Sequence, residues 1–312
     1  MPTVQLPPEL WHHIFDIVCI DGGQMGCALS LVSRYIRECS RPYKLRSVAL
    51  RGIHRISAFS ALLSEAPAAL DHVQHLFICD IQTTKPAGLP AQDPRLQMAD
   101  AFHAILSHNS ATLRTLTIEV INANLGSFLG AVTRTPVALP ALAELSLTYT
   151  SPYEQNPLRH FVDSMLVHPL PTLRRLDIGG LVARQRGAAL PLCARLGKIA
   201  PKLTHLRLPA RMALDMARVI PPRDDDIAPQ VQGLPSSIRR VLVPLSEEET
   251  AASRRHTHEC RCIRCEVLFG VRADDRMVVL EGYDTWKRAE VTWLERVSGG
   301  EGCWDERSKV AR

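Results

Sequence analysis

Apolar residues return along the chain in a short fixed pattern: a leucine or its equivalent at positions one, four and six of a six-residue stretch. The copies are LRSVAL (45–50), VQHLFI (73–78), LRTLTI (113–118), LAELSL (142–147), LRRLDI (173–178), LTHLRL (203–208) and IRRVLV (238–243). Their starts are separated by 28, 40, 29, 31, 30 and 35 residues. The alternation inside each copy predicts a strand with its leucines turned inward. In LPALAEL, LPTLRRL and APKLTHL a proline precedes the first leucine, which ends a helix and starts extended chain. Between the copies, 56–66, 98–108, 125–134, 158–168 and 188–200 space their apolar residues by three or four and predict helices. The chain therefore reads as strand followed by helix, again and again.

Two regions fall outside this rhythm. LPPELWHHIFDIVC (6–19) predicts a helix: Pro7 and Pro8 suit its first turn and Glu9 its positive end. Leu10, Ile14, Ile17 and Val18 form an apolar face that Trp11 and Phe15 widen. DGGQMG (21–26) breaks that helix, and Leu29, Val32 and Ile36 mark a second. So small a unit buries little surface alone, so its apolar face must be covered by the rest of the chain or by a partner. At the other end, RMVVLEGY (276–283) predicts a strand and DTWKRAEVTWLERVSGG a helix starting at Asp284 or Thr285. Trp286, Ala289, Trp293, Leu294 and Val297 share one face of it, which is expected to close the end of the array.

Composition narrows the class. The 312 residues are 46% hydrophobic and 22% charged, with 37 basic against 32 acidic side chains and a net charge of +5. That excess is too small to suggest nucleic-acid binding. No run of eighteen apolar residues predicts a membrane span, and MPTVQLPPEL lacks the pattern of a signal peptide. The expectation is an intracellular protein, cytoplasmic or nuclear; of its nine cysteines, the scattered Cys19, Cys27, Cys39, Cys79 and Cys193 are expected to be buried thiols.

The N-terminal residues carry a resemblance. Leu6-Pro7-x-Glu9-Leu10, the pair Ile14-Phe15, and Leu29-x2-Val32-Ser33-Arg34 stand in the order found in an F-box. The wider wording, CALSLVSRYIRE leading into YKLRSVALRG, is similar to F-box-like proteins of mushroom-forming fungi. Two departures are a Gly-rich turn where an acidic-Leu pair is common, and Tyr35-Ile36 where a tryptophan often follows. The resemblance implies docking of a Skp-type adaptor, the link to a cullin ubiquitin ligase, with Leu6, Pro7, Leu10, Ile14, Phe15, Leu29 and Val32 buried against it.

The repeated units in turn resemble a leucine-rich-repeat array, although the family's Asn or Cys is replaced by Ile81, Ile121, Thr150, Leu181 and Arg211. The expected fold class is α/β: a helical F-box (1–50), an irregular leucine-rich-repeat-like solenoid (51–248) and a small C-terminal cap (249–312). Side chains between the leucines would then line an open sheet face. From it His75, Phe77, Thr117, Glu144, Asp177 and Arg207 are the candidates for holding a protein client. The expected function is that of a substrate receptor of a cullin ligase; the alternative is a free-standing binding solenoid with the helical head as its cap.

Chemistry-bearing motifs are sparse. There is no GxSxG, no GxxxxGK[ST], and DGGQMG follows a helix rather than a strand, so no enzyme is expected. His256, His258, Cys260, Cys262 and Cys265 gather in HTHECRCIRCEVLFG, but no second Cys-x2-Cys pair completes a zinc site. No metal or other cofactor is assigned.

Overall fold

Each leucine motif forms a strand because its first, fourth and sixth residues lose their water together. In the computed structural model, the residues described are 6–65, 73–81, 94–150, 157–181, 189–210, 212–213, 234–246, 276–283 and 289–304. The strands are β1 (Ser47–Arg51), β2 (His75–Cys79), β3 (Thr115–Val120), β4 (Glu144–Tyr149), β5 (Arg175–Leu181), β6 (His205–Arg207), β7 (Arg240–Ser246) and β8 (Met277–Tyr283). They form one eight-stranded, all-parallel sheet in the order β1 to β8. The register runs straight across it: Ala49, Phe77, Thr117 and Ser146 pair in turn, then Asp177, Arg207, Leu242 and Val278.

The leucine face packs on helices α4 (Ile53–Glu65), α5 (Pro94–His108), α6 (Leu125–Phe128), α7 (Gly130–Arg134), α8 (Pro157–Met165) and α9 (Ala189–Ile199). Leu76, Ile78, Leu116, Ile118, Leu145, Leu147, Leu176 and Ile178 lie in this core with Ile56, Phe102, Phe128, Phe161 and Leu196. The Phe102 and Phe128 rings stand 4.8 Å apart, joining α5 to α6. The register slips between Ser146 and Thr148, where Thr148 pairs with Gly180. A Cβ at Gly180 would come within 2.9 Å of the Thr148 side chain, so only glycine lets the strands close there.

The N-terminal unit is α1 (Pro8–Val18), α2 (Gln24–Leu29) and α3 (Arg34–Ser40). It is tied to the sheet edge by Gly22 N–H donating to Ser47 Oγ (3.1 Å), by Ala49 N–H donating to the Gly22 carbonyl (3.3 Å), and by the Arg46–Asp16 ion pair. Past β8, helix α10 (Ala289–Val297) and a single 3₁₀ turn (Gly302–Trp304) complete the described chain. Among the described residues no helix is long and apolar enough to cross a membrane.

The α/β class is therefore found, but the expected helical F-box followed by a leucine-rich-repeat-like solenoid and end cap is not. Repeats of a solenoid touch only their neighbours and leave one sheet face open. Here α10 returns across the second face onto β2, β3 and β4, so that Arg296 grips Glu144 over a separation of 152 residues. The sheet is a middle layer covered on both sides. A recurring interval of about 30 residues is also the length of one strand-plus-crossover unit of a parallel sheet, so the spacing alone could not separate the two architectures. The C-terminal helix, expected over the end of the array, lies on its face.

Candidate docking surface and the covered sheet face

Helix α1 is apolar on two adjoining sides. Trp11, Phe15 and Val18 turn inward at spacings of four and three. There they pack with Cys19, Leu29, Tyr35, Ile36, Cys39 and Tyr43, the Trp11 and Phe15 rings stacked at 5.3 Å. Leu10, Ile14 and Ile17 repeat the same spacing one residue earlier and face out; Leu10 is 50% exposed. Leu6, Met25, Leu31 (81%) and Val32 (67%) add to this apolar exposure. Seven of the eleven exposed large hydrophobics among the described residues thus lie before residue 33.

Local chemistry fixes the frame that presents them. The Pro7 carbonyl accepts the first amides of α1, from Leu10 and Trp11, and Ser33 Oγ caps α3 through the Ile36 N–H (3.2 Å). The Tyr35 hydroxyl donates to the Leu6 carbonyl at 3.1 Å and Arg37 Nε to the Ser30 carbonyl at 2.6 Å. A Cβ at Gly26 would overlap the Lys44 backbone, so α2 is held against the turn leading to β1. Of the seven adaptor-facing candidates, Leu6, Pro7, Leu10, Ile14 and Val32 are exposed, whereas Phe15 is buried and Leu29 half-buried inside the head. Those two hold the surface in shape rather than form it.

The client candidates occupy the second sheet face, which α10 and the 3₁₀ turn cover. Phe77, 1% exposed, lies under Trp293 with ring centroids 5.7 Å apart, in a cluster with Ala49, Cys79, Ile121, Ala289, Leu294 and Val297. Burial pushes the Cys79 thiol up to about 12 and raises the neighbouring Glu119 carboxyl above its usual range. Arg51 pairs with the buried Glu290. Glu144 accepts both Arg296 Nε (2.9 Å) and Nη2 (2.5 Å), and Arg296 Nη1 donates to the Gly300 carbonyl. Arg175 approaches Glu144 at 3.5 Å and Glu301 at 3.7 Å, with its guanidinium 5.8 Å from the Trp304 ring centre.

Further along, Asp177 and Arg207 are both buried and paired at 3.0 Å; Asp177 also accepts from Gly179 N–H (2.8 Å) and Ser146 Oγ (3.1 Å). Thr117 is buried between them and Phe77 in the same row. Trp304 packs on Leu242 and Leu280. Phe77, Thr117, Asp177 and Arg207 are therefore interior, and Glu144 is engaged by the chain's own arginines. The expected open client face is filled, and the residues that fill it, Glu290, Trp293, Arg296 and Trp304, belong to the segment expected as the C-terminal cap.

His75 is the remaining client candidate. Its Nδ1 lies 3.0 Å from Thr115 Oγ1. Burial, reinforced by Arg46, Arg114 and Arg296, lowers its pKa from 6.5 to about 4. As pH falls from 6.5 towards 4, the unfolded chain takes up a proton that the folded chain refuses. Stability is lost in that window, by up to ~3 kcal/mol for this group. The difference in urea-unfolding free energy between wild type and His75→Gln is expected to slope with pH between 6.5 and 4 and to be level above 7. A difference independent of pH would remove His75 as the cause.

Among the described residues no cluster of three His, Cys, Asp or Glu side chains could hold a metal ion. Cys260, Cys262 and Cys265 lie outside the described residues. No family model matches the chain, and no curated protein matches it. The functional reading therefore rests on the residues themselves.

Proposed function

We propose that this protein is an adaptor-docking protein. On this reading the N-terminal helices bind a Skp-type adaptor, and through it a cullin ubiquitin ligase, and the sheet domain carries the surface for a protein client. The chain itself performs no covalent chemistry; it raises the effective concentration of a client beside the ligase. The observation that carries the reading is the outward row Leu6, Leu10, Ile14, Ile17 and Val32 on a head whose own core is already filled by Phe15, Cys19 and Cys39. A head serving only as a cap would turn that row onto the sheet. The order Leu6-Pro7-x-Glu9-Leu10, Ile14-Phe15, Leu29-x2-Val32-Ser33-Arg34 points to the adaptor rather than to an arbitrary partner.

The test is co-expression with a Skp-type adaptor followed by size-exclusion chromatography. Wild type is expected to co-elute with the adaptor. Leu10→Asp/Ile14→Asp is expected to elute alone with an unchanged thermal melt, because both side chains are exposed. Wild type eluting alone would sink the reading and leave a free-standing scaffold.

A further inference from the structure

The sheet edge at which the strands begin carries a cleft that the docking surface does not use. It has a volume of about 480 Å³ and is lined by Arg174, Lys202, Thr204, Ser236, Ser237 and Arg239. No carboxylate is among these residues. Arg174 and Arg239 stand immediately before β5 and β7, and Lys202 lies in the turn before β6. The backbone locks these positions side by side: Thr204 N–H donates to the Arg174 carbonyl (2.9 Å) and Arg239 N–H to the Thr204 carbonyl (2.8 Å). Two strand spacings set the arginine backbones ~10 Å apart, with the lysine turn beside the rung between them.

All three cations are exposed, and among the described residues none of them forms an ion pair. The Thr204 hydroxyl is committed, 3.1 Å from the Arg174 carbonyl and 2.8 Å from His205 Nδ1. Ser236 and Ser237 supply the remaining hydroxyls of the lining. Among the described residues, three like charges converge on one cleft without a counter-charge. A compact dianion with several acceptor oxygens relieves that repulsion, and guanidinium forks, an ammonium and hydroxyl donors are the groups that recognise it. Arg114 extends the basic edge, since its carbonyl accepts from Ala143 and the Ala143 carbonyl accepts from Arg174.

We propose that this cleft binds a phosphate dianion, free or as a monoester, between Arg174, Lys202 and Arg239. This is independent of the adaptor reading, since neither surface shares a residue with the other.

The experiment titrates full-length protein with inorganic phosphate and with O-phosphoserine, following amide shifts or heat, with chloride at matched ionic strength as the reference. Saturable binding to phosphate or phosphoserine beyond chloride is expected. Tighter binding of phosphoserine assigns the cleft to the ester, and equal or weaker binding assigns it to the free ion. Arg174→Gln/Arg239→Gln is expected to weaken binding about tenfold or more. The exposed pair Arg134→Gln/Arg159→Gln, which removes the same charge elsewhere, should leave it unchanged. Lys202→Gln, outside any strand, gives a second reading should the double variant fold poorly. No saturation beyond chloride, or equal losses in the two double variants, would overturn the site.

Discussion

Replacing Arg207 with Met is expected to cost about 3–5 kcal/mol of folding stability, because it strands a charged carboxylate inside the protein. Asp177 and Arg207 face each other on β5 and β6, both buried, at 3.0 Å. Taking two charges out of water is costly, and their attraction offsets that cost only while both are present. Methionine fills much of the arginine's volume, so the loss reports the stranded charge rather than a cavity. The companion variant makes the argument decisive. Asp177→Asn removes the charge yet keeps an oxygen that can accept from Gly179 N–H or Ser146 Oγ. Arg207→Met/Asp177→Asn should therefore recover most of the stability lost by Arg207→Met. Urea unfolding of the three proteins measures this. If the double variant is no more stable than the single one, the pair is not held by charge.

That ion pair also shows where pattern reading stops. The alternation in LRRLDI and LTHLRL places Asp177 and Arg207 opposite the leucines, and they are there. Alternation says which face a side chain takes, and says nothing about whether that face is wet. The cover over this pair comes from the 3₁₀ turn more than 90 residues further along the chain, where Cys303 meets Asp177, with α10 over the earlier strands, and nothing local in Trp293 or Arg296 names its partner. One signal was present: Phe77, Leu242, Val278 and Leu280 are large apolar residues on the face opposite the leucines, and strands apolar on both faces belong to sheets covered on both faces. The strands and helices themselves were legible because their periods of two and three to four are written by burial. The predicted helix 125–134 divides at Leu129 into α6 and α7, with Gly130 directly after the break. In α1 the apolar residues occupy two adjoining sides, so period alone could not say that Phe15 turns in while Leu10 and Ile14 turn out. Part of the basic cleft was written in the motifs as well: Arg174 and Arg239, which line it, stand at the second place of theirs.

Asp80 is expected to be the other residue whose loss is felt through the whole fold, with Asp80→Ala costing about 4 kcal/mol. It sits just past β2, 4% exposed, and its carboxylate takes three consecutive amides at the end of β3: Ile121 at 2.6 Å, Asn122 at 2.9 Å and Ala123 at 2.5 Å. These amides have left the β3 ladder and have not yet entered α6, so no carbonyl of a regular element serves them. The carboxylate does, through charge-assisted bonds, and so fixes the turn that brings Leu125 and Phe128 into the core. Alanine leaves three amides without an acceptor, at about 1–3 kcal/mol for each one that water cannot reach. Asparagine is a sharper probe than it first looks. It has the same shape but one acceptor oxygen, so with that oxygen on Asn122 and Ala123 its NH₂ would oppose the Ile121 N–H. Asp80→Asn should therefore lose stability too, by less than alanine, and amide exchange should quicken first at Ile121. Equal stability of the aspartate and asparagine proteins would mean that the turn is held by the packing of Leu125 and Phe128 alone.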